Sequence, residues 1–196
     1  EAFTVKNYKD IDLWKDVSPE DWNNWKWQVR NRITTLEQLN RVLDLSEREQ
    51  KDVELCLKKF RMAITPYYAT LIDSENPRCP IKAQCVPTID ELEIRPDEKA
   101  DPLNEDLSSP VPGIVHRYPD RVLFLLTYKC SMYCRHCTRR RTVGMEDYSI
   151  DEATLEGALE YIGSNRNIRD VLLSGGDPLI MADGFLEKII SRLRNI

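Results

Sequence analysis

The chain has 196 residues, 41% of them hydrophobic and 31% charged, with a formal net charge of −5. That is room for one domain, or one domain with an appendage. The acidic balance argues against gripping a nucleic-acid backbone, and no apolar run approaches the ~18 residues needed to span a bilayer. Glu1-Ala2-Phe3 opens neither a basic n-region nor an apolar h-region, so no signal peptide is visible and a cytoplasmic location is expected.

The N-terminal part reads as helical. Ser18-Pro19-Glu20-Asp21 combines an N-cap serine, a proline at N1 and acids in the first turn. Trp22, Trp25, Val29 and Ile33 follow at helical spacing, and Leu36, Leu39 and Leu43 continue the pattern in a second short helix. Ser46 and Glu49 form a capping box for a third helix carrying Val53, Leu57 and Phe60. These elements make a helical domain over 1–73.

Composition then shifts. Eight of the eleven prolines lie between Pro77 and Pro119, and no periodicity survives there. Because proline fixes φ and removes a donor, 74–119 reads as an extended arm. Arms of this length usually carry function or wrap another subunit.

From 120 onward the pattern alternates. Arg121–Tyr128 is a continuous apolar run of strand length, as expected of a buried parallel strand. Ser149 and Glu152 are placed to box a helix carrying Leu155, Leu159 and Ile162. Asp170–Leu173 reads as a second buried strand, ending in Ser174-Gly175-Gly176-Asp177, and Asp183 as the cap of a last helix with Leu186, Ile189, Ile190 and Leu193. Strand, helix, strand, helix is a βαβ arrangement, whose chemistry sits on the loops after the strands. Two parallel strands cannot be covered or closed into a sheet by themselves, so the chain reads as the N-terminal part of a longer protein.

Six cysteines are present, and three of them, Cys130, Cys134 and Cys137, fall within eight residues directly after the first strand. In a reducing compartment such spacing points to metal rather than disulfides. Three thiolates leave one iron of a [4Fe–4S] cubane without a protein ligand, and an open position separates a catalytic metal from a structural one. Two other readings stay open from spacing alone. One is zinc, with His136, Cys79 or Cys85 as fourth ligand, although no second Cys-x-x-Cys pair exists. The other is three unligated cysteines.

Several stretches resemble the lysine 2,3-aminomutase family of radical S-adenosylmethionine enzymes. The loop from Cys130 to Arg141, Cys-Ser-Met-Tyr-Cys-Arg-His-Cys-Thr-Arg-Arg-Arg, is the most specific; Arg61–Tyr68, Ser108–Gly113, His116–Arg121 and Leu172–Asp177 also match. The resemblance implies a fold beginning with the first two βα units of a partial TIM-type (β/α) barrel. It implies a [4Fe–4S] cluster, S-adenosylmethionine and pyridoxal phosphate, used together to move an amino group between Cα and Cβ of an amino acid. The pyridoxal phosphate lysine, the pocket for the substrate side chain and a structural zinc site would lie in a part of the protein outside this chain. By position, Cys130, Cys134 and Cys137 match the cluster ligands. His136, Ser174, Gly175, Gly176 and Asp177 match the S-adenosylmethionine contacts. Arg117, Tyr118 and Arg121 match the partners of the pyridoxal phosphate group's phosphate, and Arg139 the partner of the substrate carboxylate.

Ser131 and Thr138 look more like members acting on lysine; glutamate 2,3-aminomutase is the nearest rival, and a zinc-binding interaction module the rival from another class. Tyr128-Lys129 and Pro178 depart from the family's usual residues at positions that hold no ligand. A small amino-acid substrate, an electron donor for the cluster and a homo-oligomer complete the expectation, with neither nucleic acid nor membrane as partner.

Overall fold

The computed structural model describes residues 5–196. The described residues form two compact units, one of residues 5–98 with Ser131–Cys137, the other of Lys99–Cys130 with Thr138–Ile196.

In the first unit the expected long tryptophan helix is two helices, α1 (Pro19–Trp22) and α2 (Trp25–Arg30). Ser18 caps α1 by accepting from Asp21 N, as its sequence implies. The break falls on two asparagines, whose side chains compete for backbone groups. Asn23 Nδ2 donates to Pro19 O (2.7 Å), and Asn24 Oδ1 accepts from Lys26 N (2.9 Å), starting a new helix. Trp22 is therefore buried and stacks on Tyr8 with ring centroids 4.0 Å apart, whereas Trp25 is 44% exposed. Ile33 lies outside the helix and pairs with Ile64 in an antiparallel bridge.

Then come α3 (Leu36–Asn40), α4 (Glu47–Leu57), α5 (Pro66–Thr70) and α6 (Pro80–Cys85). The Ser46–Glu49 capping box of α4 is present. Buried Gln28 ties α2 to α5: its Nε2 donates to Trp22 O (2.8 Å) and its Oε1 accepts from Tyr67 N (2.8 Å).

The proline-rich arm is more ordered than its composition suggests. It contains α6, 3-10 turns at Ile89–Leu92 and Asp106–Ser108, and the strand β1 (Ile114–Tyr118). Pro80 sits at N1 of α6, where no donor is needed, so there proline starts a helix instead of preventing one. Cys79, Cys85 and Val86 join the core of the first unit, while Ile114 joins that of the second.

The second unit is a three-stranded sheet in the order β1-β2-β3, with β2 at Arg121–Thr127 and β3 at Asp170–Gly175. β1 and β2 pair antiparallel across Pro119-Asp120; β2 and β3 pair parallel across α7 (Glu152–Ser164). Val122, Phe124 and Leu126 pack with Leu155, Ala158, Leu159 and Ile162 of α7 and with Ile189 of α8 (Asp183–Leu193).

Three local expectations change. Asp151, not Ser149, caps α7, accepting from Thr154 N at 2.8 Å, while Ser149 bridges to Thr127. Asp183 is the first residue of α8, whose N-cap is Ala182. Finally, β3 is half-buried, with Leu172 exposed, because it lies at an edge of the sheet.

Candidate functional site

β2 delivers the cysteine loop. Its last residue, Thr127, is buried and closes an otherwise apolar strand with a polar side chain. Thr127 Oγ1 donates to Tyr148 O (2.9 Å) and accepts from Lys129 N (3.1 Å), fixing the turn that leads into Cys130.

The loop after β3 comes up against that same turn. Gly176 N donates to Thr127 O (2.5 Å) and Asp177 N to Lys129 O (2.7 Å). Gly175 has φ +124°, and a Cβ on it would stand closer than 3.0 Å to Thr127 O; a Cβ on Gly176 would do the same to Lys129 O. Both glycines are thus required for the two backbones to meet. Asp177 Oδ1 accepts from Leu179 N (3.1 Å), and Ser174 is half-buried beside them. The Gly-Gly turn thus meets the turn that leads into Cys130, at the C-terminal ends of neighbouring parallel strands.

Within the first unit, Ser131–Cys137 is held from several sides. Tyr133 N donates to Ala63 O (3.1 Å) and Arg135 N to Gln84 O (2.8 Å). The Arg135 guanidinium forks onto Glu91, Nε to Oε1 at 3.0 Å and Nη2 to Oε2 at 2.7 Å, with Nη1 on Arg61 O at 2.9 Å. His136 is exposed.

None of the six cysteines is in a disulfide; Cys130, Cys134 and Cys137 are half-buried, and Cys56, Cys79 and Cys85 are buried. Burial, and then the neighbouring Cys137 thiol, push the Cys134 thiol up. Among the described residues no three His, Cys, Asp or Glu side chains converge at metal-binding distance, so the donor set is judged by its chemistry. Three unbridged thiols on one anchored loop suit thiophilic iron.

The phosphate candidates gather elsewhere. Tyr118 faces Arg121 across the β1–β2 register, with the guanidinium 5.8 Å from the ring centroid. Arg121 pairs with Asp120 (3.0 Å), and Arg117 Nη1 donates to Leu103 O (3.1 Å). All three are exposed, at the end of β2 opposite the cysteine turn, about 20 Å away at ~3.3 Å per strand residue. Two guanidinia and a phenol there have the donors a phosphate dianion takes, but the structure does not bring them to the cysteine turn.

Arg139 is mostly buried and pairs with buried Glu105, closest at 2.6 Å. Sequence reasoning missed Glu105, Glu91 and Thr127. The only available signals were an acidic stretch that could answer Arg139-Arg140-Arg141 and a polar residue ending an apolar strand.

Among the described residues no helix is long and apolar enough to cross a membrane. Residues 117–196 match the model of a 4Fe-4S single cluster domain. The chain is 56% identical over 180 residues to an L-lysine 2,3-aminomutase of Acetoanaerobium sticklandii, covering 92% of this chain and 44% of that one. It is 53% identical over 185 residues to one of Clostridium subterminale, covering 94% and 44%. A glutamate 2,3-aminomutase of Clostridioides difficile is 44% identical over 177 residues, covering 90% and 42%. The chain thus spans about 44% of the length of the first of these relatives. Identity of this order across nearly the whole chain, together with the cysteine loop and the glycine turn it packs on, makes it a member of the lysine 2,3-aminomutase family.

Proposed function

We propose that the protein carrying this chain is a radical S-adenosylmethionine aminomutase that interconverts L-lysine and L-β-lysine. The observation that carries the reading is the closely spaced, half-buried cysteines Cys130, Cys134 and Cys137 in the loop after β2, none of them in a disulfide, in a chain 48–56% identical to four L-lysine 2,3-aminomutases.

Cys130, Cys134 and Cys137 would hold the cluster and leave one iron open. The cluster with S-adenosylmethionine supplies one-electron hydrogen abstraction, and pyridoxal phosphate supplies a π system that spreads the unpaired electron. The chain's own residues bind and orient. Ser174, Gly175, Gly176 and Asp177 would present backbone and carboxylate to S-adenosylmethionine, with His136 nearby in sequence against its adenine. Arg117, Tyr118 and Arg121 would take the pyridoxal phosphate group's phosphate, and Arg139 the substrate carboxylate. The β2–α7–β3 arrangement would begin a partial TIM-type barrel, after a helical domain over 1–73 and an arm over 74–119. A cytoplasmic homo-oligomer served by an external electron donor completes the proposal.

Glutamate 2,3-aminomutase is the competing reading, supported by the 44% identity to that enzyme. The test is the full-length protein, reconstituted anaerobically and given a panel of amino acids. Brown colour lost on replacing Cys130, Cys134 or Cys137 by alanine, but kept on replacing Cys56, Cys79 or Cys85, is expected, with β-lysine as the product. A colourless zinc protein, or turnover of glutamate alone, would overturn the proposal.

A further inference from the structure

The acidic segment before β1 is fastened to the arginines that follow the cysteine loop. Asn104 has φ +52°, the one positive φ outside glycine among the described residues; asparagine tolerates that left-handed region better than most residues. Directly after it, Glu105 is only 7% exposed. Arg139 Nε donates to both its oxygens, at 3.0 and 2.9 Å, and Nη2 donates to Oε1 at 2.6 Å. The segment is braced from other directions. Arg141 Nη2 donates to Asp106 Oδ1 (2.7 Å) and lies 3.6 Å from Asp101 Oδ2. Asp106 N donates to Asp101 Oδ2 (3.0 Å), and Ser109 Oγ to Glu105 O (2.7 Å).

A guanidinium is a rigid fork with two edges that fit a carboxylate, one made by Nε and Nη2 and the other by Nη1 and Nη2. Glu105 takes the first edge. Nη1 donates to none of its neighbours among the described residues, so the second edge is held in a fixed plane with its donors uncommitted.

We propose that Glu105 is a positioning residue for Arg139, gripping one edge of the guanidinium so that the other is presented, already oriented, to the carboxylate of the amino-acid substrate. The inference rests on the reading of Arg139 as the partner of that carboxylate. Without Glu105 the guanidinium regains rotamers that every binding event must remove, and binding weakens. A bare charge argument points the other way, since a carboxylate beside Arg139 weakens its pull on a second one. The two accounts therefore give opposite signs.

The experiment uses the full-length holoenzyme with Arg139→Met, Glu105→Gln and Glu105→Asp. Steady-state constants for L-lysine are compared with inhibition by 1,5-diaminopentane, which is lysine without its carboxylate. Arg139→Met and Glu105→Gln should each raise the KM for lysine about tenfold or more, with a much smaller change in kcat. Inhibition by diaminopentane should stay within about twofold, since it never meets the fork. Glu105→Asp keeps the charge one methylene short and should recover part of the loss; it carries the test alone if the glutamine variant does not fold. If Arg139→Met raises KM while the Glu105 variants leave it unchanged or lower it, the positioning role falls and the reading of Arg139 stands. An unchanged KM in Arg139→Met overturns both. An equal loss of lysine and diaminopentane binding would mark Glu105 as a support of the fold only.

Discussion

Arg135, the residue between the second cysteine and His136, forms a two-pronged ion pair with Glu91, and the two side chains are only 8% and 10% exposed. The partners come from distant parts of the sequence, and the third guanidinium nitrogen is spent on Arg61 O. Such a pair costs desolvation to form, so it argues for fixed geometry more than for net stability. Removing one partner strands the other charge. Glu91→Ala should therefore destabilise the apo-protein by about 3–5 kcal/mol, read from urea unfolding. Glu91→Ala combined with Arg135→Met should cost less than the sum of the single changes. A loss below about 1 kcal/mol would mean the pair is solvated and does not anchor the loop.

Gly176 tests the meeting of the two loops. A Cβ there has only the Lys129 carbonyl and the Tyr128 backbone to push against, and backbone cannot rotate away as a side chain can. Gly176→Ala should cost about 3 kcal/mol, the upper end of overpacking, and should lower iron incorporation by displacing the entry to Cys130. Gly184, whose added Cβ would meet nothing within 4 Å, is the control, and Gly184→Ala should be close to neutral. Equal behaviour of the two variants would show that the loops are not in contact.

Much of this arrangement was legible in the residues. The β2 run is apolar from Val122 to Leu126, most of it buried, and the Ser46–Glu49 box needs only local spacing. The cysteine loop and the Gly-Gly turn announced themselves because few other residues can do their work. What stayed hidden was non-local. Periodicity through Asn23-Asn24 reads as one helix because spacing ignores side chains that cap. Prolines mask α6 and β1, since the same residue that stops a helix also starts one. The partners Glu91 and Glu105 look like ordinary surface acids until the fold places them on Arg135 and Arg139.

The two sets of cysteines should separate by reactivity. Burial, and then the neighbouring Cys79, push the Cys85 thiol up to about 12, whereas the three loop thiols are half-buried. Alkylation goes through the thiolate and needs access. Brief iodoacetamide treatment of folded apo-protein should label Cys130, Cys134 and Cys137 before Cys56, Cys79 and Cys85, read by peptide mass. Cys85 also implies an alkaline limit. Its folded pKa lies above the ordinary thiol value of 9.0, so its contribution is intact below about pH 9 and is lost as pH rises towards 12. Cys85→Ala should flatten the fall in stability over that window. Labelling of Cys85 as fast as of Cys137 would contradict the burial.

Glu49 sets an acid limit by the opposite sign. Its carboxylate accepts from Lys82 Nζ (2.6 Å), from Ser46 Oγ (2.7 Å) and from Ser46 N (2.8 Å). These bonds, Lys82 first and then Ser46, hold its pKa down to about 2, against 4.5 for an ordinary glutamate. The ionised form is thus favoured by folding. Its stabilisation is present above about pH 4.5 and drains away as pH falls towards 2. The side chain is 41% exposed, so solvent screening discounts what the shift alone would suggest, and the expected loss is about 1 kcal/mol, within the range of a helix cap plus a surface ion pair. Glu49→Gln keeps the shape of the box but not the charge. It should lose about that amount at neutral pH, and its stability curve should run parallel to the parent's below about pH 2. The effect should reach beyond α4, because Lys82 lies in α6, and hydrogen exchange in Pro80–Cys85 should quicken along with that of the first turn of α4. Exchange that quickens in α4 alone would show that the Lys82 contact does no more than decorate the surface of the cap.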